Sequence, residues 1–187
     1  VAVDTAHNLR QLSAVAQQHG VTLGVVIEVD TSMHRAGIRH LEHGVELAKL
    51  ATTLPGLAFR GVMSHQTVPG RPDKSTRQIE GRRYMQMCLD VKDAIEAAGM
   101  PVEIVSTGET WTYDVAADLP GVTEVEGGTY MLMSWSYSYM DEFHIAAKIL
   151  GTVISTPEPG VAIGDVGMWA LASPGGVLPC VEGRPEV

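Results

Sequence analysis

Apolar residues change spacing several times along this chain, and the changes mark out its elements. Val1 to Val3 reads as a short strand; after Asp4, Leu9, Leu12, Val15 and Ala16 recur at helical spacing until Gly20. The β-branched run Leu23 to Val29 then predicts a buried strand, and a helix over about Leu41 to Thr53 ends at Pro55 and Gly56. Phe59 to Ser64 gives the next strand, Ser75 to Ala98 a long helix stopped by Gly99 and Pro101, and Val102 to Ser106 another strand. A short helical stretch near Thr112 to Leu119 precedes a strand over Val122 to Leu132. Strands separated by helices of these lengths imply βαβ units and a parallel sheet.

A closed eight-unit barrel takes on the order of 250 residues, so this stretch is either the second half of such a barrel or an open doubly wound sheet. Beyond Ser134 the texture shifts. Trp135, Tyr137 and Tyr139 cluster, and Ile149 to Ser155 and Val161 to Val166 read as two strands joined by Pro157, Pro159 and Gly160, an antiparallel hairpin. A boundary near residues 140 to 148 follows, giving a first domain over 1–145 and a second over 146–187. The abrupt strand at Val1 and the Gly/Pro turn at the other end suggest a piece of something longer.

Composition narrows the function. With 187 residues and 45% hydrophobic content the chain can bury a sizeable core. A formal charge of -9, with no basic stripe, argues against nucleic-acid and anionic-membrane partners. A small soluble ligand is the better default. No apolar run approaches the roughly 18 residues of a membrane span, and Val1 to Arg10 lacks signal-peptide order, so a cytoplasmic location is expected. Cys88 and Cys180 stand far apart and read as buried small hydrophobes.

In parallel α/β folds ligands sit beyond the carboxyl ends of strands. Here those positions are polar: Glu28 to Ile38, Ser64-His65-Gln66, Ser106 to Tyr113, and Glu126 to Tyr130. Ser106, Gly108 and Thr110 fit a phosphate cradle, and Gly127-Gly128 offers a second backbone surface, although each loop alone also reads as an ordinary cap and turn. Arg35 is either a ligand-binding guanidinium or a surface charge; His65 either binds a ligand or is a satisfied structural histidine. His40 and His43 lack a third metal ligand nearby and read as a solvated helix face.

Together these strand ends resemble the fold-type III pyridoxal-phosphate enzymes, and within them the group containing D-threonine aldolase, D-serine dehydratase and 3-hydroxy-D-aspartate aldolase. Asp30-Thr31-Ser32-Met33-His34-Arg35-Ala36-Gly37 is similar to the group's Asp-Thr-Gly-Met-His/Asn-Arg-x-Gly motif, with Ser32 in place of the usual glycine. Ser106 to Tyr113 resembles its phosphate loop, Thr123 to Tyr130 its Thr-Glu-x-x-x-Gly-Ser/Thr-Tyr strand end, and Asp165-Val166-Gly167 an Asp-x-Gly turn.

The resemblance implies a partial (β/α)8 TIM barrel of the alanine racemase type, followed by the start of a β-rich domain. It implies pyridoxal phosphate as cofactor, bound by Arg35, His65, Ser106, Gly108, Thr110, Glu126, Gly128, Thr129 and Tyr130. Arg35 would meet the phenolic oxygen and Glu126 the pyridine nitrogen. The implied activity is lysis of a D-β-hydroxy-amino acid by retro-aldol cleavage or dehydration; the alternatives are an amino-acid racemase and a non-catalytic pyridoxal-phosphate carrier. By analogy alone a homodimer is expected.

Two parts of the family pattern lie outside this sequence. The lysine that anchors the cofactor is expected upstream of Val1, and the zinc or manganese ligands downstream of Val187. Lys49 and Lys92 fall inside predicted helices, Lys74 in a predicted loop and Lys148 before a strand, so none ends a strand. The chain alone is therefore expected to be inactive.

Overall fold

A computed structural model of the chain describes residues 1–66, 73–133, 135–167, 170 and 180–184. Four parallel strands alternate with helices: β1 (Ala2–Val3), α1 (Ala6–His19), β2 (Leu23–Glu28), α2 (Leu41–Thr53), β3 (Leu57–Met63), α3 (Lys74–Ala97), β4 (Ile104–Ser106) and α4 (Tyr113–Ala117). The strands lie in the sheet in chain order, β1-β2-β3-β4. That order is what successive βαβ units produce.

Local chemistry sets the ends of the helices. The Thr5 hydroxyl accepts the Asn8 N–H at 3.2 Å to open α1, which closes at Gly20 in a left-handed conformation (φ 62°). Asp73 opens α3 by accepting the Thr76 N–H at 2.8 Å. Lys74, expected in a loop, is the first residue of α3, because the Asp73 cap starts the helix one residue before Ser75.

The two faces of the sheet differ. Val25, Ile27, Val62 and Val105 share the helix-covered face, each at most 1% exposed, and pack with Leu9, Leu47, Met85, Cys88 and Ile95. Each such aliphatic side chain contributes about 1.5–3 kcal/mol by leaving water. Val26, Met63 and Ile104 point to the opposite face and are only half-buried. A closed barrel turns that face inward; among the described residues the sheet does not close. At Gly61 a Cβ would lie 1.9 Å from the Ile104 carbonyl oxygen, so β3 approaches β4 only because that residue is glycine.

The expected strand over Val122 to Leu132 is corrected. Only Glu124 pairs, as an isolated parallel bridge to Ser106, and Thr129–Met131 forms a 3₁₀ turn. The apolar spacing Val122, Val125, Met131 suits either state, and Gly127-Gly128 leaves the backbone without a strand preference. The short helix starts as a 3₁₀ turn at Thr110–Thr112 before α4.

The chain divides into two compact units, Val1–Gly128 and Thr129–Val187. In the second, β5 (Val153–Ser155) and β6 (Ile163–Gly164) pair antiparallel, as the Pro/Gly connection predicts, and the Asp165 carboxylate accepts the Thr152 N–H at 2.7 Å. Tyr130 and Phe143 meet at 6.2 Å between ring centroids. Residues 168–169, 171–179 and 185–187 of the proposed second domain lie outside the described residues. Cys88 is buried as expected, whereas Cys180 is only partly so. Among the described residues no helix is long and apolar enough to cross a membrane.

Candidate functional site

Register aligns the strand ends. Glu28 pairs with Met63, Met63 with Ser106, and Ser106 with Glu124, so the segments that follow leave the sheet along one edge. Parallel strands in register make one rim out of residues distant in sequence.

The first rim loop, Asp30 to Ile38, is folded back on the strand it leaves. Asp30 N–H donates to the Ile38 carbonyl at 3.0 Å and Ile38 N–H to the Glu28 carbonyl at 2.9 Å. The buried Asp30 carboxylate accepts the His34 N–H at 3.0 Å and pairs with Arg39 at 3.1 Å. His34 is thereby held at φ 50°, uncommon for a residue with a side chain. Gly37 sits at φ 104° and donates its N–H to the Asp4 carboxylate, just beyond β1, at 2.9 Å. The loop's products are Arg35 and Glu28, whose Nη2 and Oε1 lie 3.4 Å apart.

The second and third loops are joined by a buried polar network. Ser64 and Thr107 hydroxyls share a 2.7 Å hydrogen bond, and whichever of them is the acceptor there is free to donate to the Gln66 side-chain oxygen, which lies 3.3 Å from Ser64 and 3.4 Å from Thr107. Trp111, 1% exposed, donates its indole N–H to the Gln66 carbonyl at 3.4 Å. These contacts tie the two loops together, although the Gln66 side-chain nitrogen is buried without a hydrogen-bond partner. Gly108 (φ 90°) turns the third loop against α4, where a Cβ would lie 2.8 Å from that of Ala116.

Charge gathers where the loops meet. His65 is pulled below its ordinary pKa, first by burial and then by the Arg35 guanidinium; Glu126 and Glu28 oppose the shift. Those four side chains therefore act on one another. Ser106 donates its hydroxyl to Glu126 Oε1 at 2.8 Å. Glu109 lies with Oε2 4.0 Å from His65 Nε2, and burial alone pushes its carboxyl up to about 8.

Of the expected site residues, Arg35, His65, Ser106 and Glu126 are brought together. Gly108 shapes the adjoining loop, while the Thr110 side chain is turned into the protein, 2% exposed. Gly128 faces open space and Thr129 and Tyr130 belong to the second unit. Sequence reading assigned no role to Glu28, Gln66, Thr107 or Glu109; their position beside strand ends was the available signal, but burial and pairing are tertiary facts. Among the described residues, no group of three or more His, Cys, Asp or Glu side chains is placed to hold a metal ion.

A parallel sheet with a polar rim at its carboxyl edge defines an α/β ligand-binding class. Residues 1–134 match the alanine racemase N-terminal domain, and the chain belongs to that family. Over its whole length it is 32% identical to a 3-hydroxy-D-aspartate aldolase of Paracoccus denitrificans, covering 51% of that protein. Over 91% of its length it is 31% identical to a D-threo-3-hydroxyaspartate dehydratase of a Delftia species, covering 46%. The crystal structure of a D-threonine aldolase from Filomicrobium marinum superposes with a TM-score of 0.82 at 23% identity, covering 90% of this chain and 47% of the other, a likeness of fold. The chain spans about half the length of the curated relatives it matches.

Proposed function

We propose that this chain is part of a longer polypeptide, a pyridoxal-phosphate-dependent lyase acting on a D-3-hydroxy-amino acid by retro-aldol cleavage or dehydration. Residues 1–145 would supply the cofactor-binding side of the barrel and 146–187 the start of a β-rich domain. The reading is carried by the juxtaposition of Arg35, His65, Ser106 and Glu126 on one sheet edge, in a chain whose relatives at 31 and 32% identity are named for 3-hydroxyaspartate chemistry.

The donor set suits a phosphorylated pyridine. A guanidinium, an uncharged imidazole and a glycine-bearing loop can hold an anionic ring substituent, and a carboxylate braced by the Ser106 hydroxyl suits a protonated ring nitrogen. When bound, the cofactor supplies an electron sink for the bond-breaking step. Arg35 would hold the phenolic oxygen, with Glu28 limiting where the guanidinium swings. Ser106 donates to Glu126 Oε1 and so orients that carboxylate, which would favour a proton on the ring nitrogen of the bound cofactor. His65, uncharged near neutrality, presents an imidazole able to accept a proton at Nε2 or Nδ1. The cofactor-anchoring lysine and any zinc or manganese ligands belong, on this reading, to the rest of the polypeptide.

The test is cofactor affinity and turnover of D-3-hydroxyaspartate and D-threonine by the full-length protein and its Arg35→Ala variant. Arg35→Ala should weaken cofactor binding and lower kcat/KM by roughly tenfold or more, since a charge-assisted contact is worth about 1.5–3 kcal/mol. Unchanged affinity and turnover would show Arg35 to be a surface charge.

A further inference from the structure

Glu109 caps the 3₁₀ turn before α4, but that task does not call for an acid. It is 8% exposed, in the loop that turns from β4 to α4, and its Oε1 has no hydrogen-bond partner. Its local task is a capping box with Thr112: its N–H donates to the Thr112 hydroxyl at 3.1 Å, its carbonyl accepts the Thr112 N–H at 3.0 Å, and its side chain caps the same N–H. A serine or asparagine would do that as well. A buried carboxylate needs a cation or several donors, because solvation lost on burial is otherwise not replaced.

Beyond the Thr112 N–H, the surroundings provide little of that compensation. From the loop after β3, His65 is the ion-pair partner of Glu109 within 4.0 Å, and burial and then Arg35 lower the proton affinity of that imidazole, against Glu126 and Glu28. From the loop after β2 come Arg35, committed to Glu28 at 3.4 Å, and from the segment after Thr123 comes Glu126, held by Ser106. On the helix side, Gly81 of α3 lies against Thr112, and Arg77 is committed to Asp114 at 2.9 Å. An ionised Glu109 would add a negative charge 4.0 Å from His65, on the rim where an anion is to be bound. A protonated one adds no charge and offers an O–H donor from its unpartnered edge.

We propose that Glu109 sets the charge of the strand-end anion site: the carboxyl is protonated when a phosphorylated ligand is bound, and its ionisation drives that ligand off. The inference rests on the cofactor reading above and gives a role to a residue for which the resemblance supplies none. Burial holds the Glu109 carboxyl up to about 8, so the site accepts a dianion at neutral pH and closes electrostatically in mild alkali. Phosphate monoesters complete their own second ionisation near pH 6, so the ligand's phosphate charge is constant over this window. By reciprocity, the bound anion must raise the proton affinity of Glu109 by the factor that the proton raises anion affinity.

The experiment measures binding of pyridoxamine phosphate, which has no aldehyde to react with lysines, to the full-length protein and to Glu109→Gln between pH 7 and 10. Titrations belonging to the ligand are common to both proteins and cancel in the comparison. Relative to Glu109→Gln, the wild-type affinity should fall about tenfold per pH unit above pH 8, as expected for loss of one required proton. Parallel profiles overturn the proposal. Absence of binding to either protein at any pH ends the cofactor reading and this inference with it. Should Glu109→Gln not fold, carbon-13 titration of the wild-type glutamate carboxyls decides: one resonance should titrate near pH 8 and move upward with ligand, and its absence or indifference to ligand overturns the proposal.

Discussion

Replacing Gly37 with alanine tests whether the Arg35 loop is held as the structure describes. At φ 104° an alanine is strained, and its Cβ would lie 2.5 Å from the Asp30 nitrogen and 2.8 Å from the Val29 carbonyl carbon. Both obstacles are backbone of the strand the loop folds against, so no side chain can rotate away. Left-handed strain costs about 1–2 kcal/mol. Relief of the contact must open the closure at Asp30 N–H to Ile38 and Ile38 N–H to Glu28, each net about 0.5–1.5 kcal/mol. Gly37→Ala should therefore destabilise by about 2–4 kcal/mol, a large share of a typical domain's stability. Urea unfolding, read as a midpoint shift at unchanged slope, measures it. Cofactor affinity should fall along with stability, because Arg35 rides on the same loop. Gly128→Ala is the control: a Cβ there meets nothing within 4 Å, so stability should stay within about 1 kcal/mol of wild type. A Gly37→Ala shift below about 0.5 kcal/mol would refute the loop closure.

Stability should also fall with rising pH on account of Glu109. Its carboxyl is raised from 4.5 to about 8 by folding, so below 4.5 both states are protonated and nothing is lost. Between those pH values the unfolded chain ionises while the folded one does not, and folding weakens by at most about 1.4 kcal/mol per pH unit. Glu109→Gln should remove this slope in urea titrations from pH 5 to 8, and a slope equal to wild type would contradict the burial account. Asp114→Ala should cost about 2–4 kcal/mol, because it leaves the Arg77 guanidinium, whose side chain is 4% exposed, buried without its 2.9 Å partner. Adding Arg77→Met should recover part of that loss in the same unfolding assay, and no recovery would mean the pair is not what Asp114 contributes.

Much of the architecture was legible in the chain alone. Leu9-Leu12-Ala16 spacing, the β-branched Leu23 to Val29 run and the stops at Gly20, Pro55-Gly56 and Gly99 are local signals, and they determined helix, strand and order because propensity and periodicity act within a few residues. The polar composition of the strand ends likewise pointed to where a ligand belongs. Between Val122 and Leu132 the local signals were indecisive, and only contact with Ser106 decided that Glu124 pairs while Thr129 to Met131 turns. Glu109 shows the same division at the site. Its place in a Ser/Thr/Gly loop was visible in the sequence, but its protonation follows from how much water the packed loops exclude and how far it lies from a cation. Solvation and charge proximity depend on residues more than 40 positions away, such as His65, which only the folded chain brings within reach.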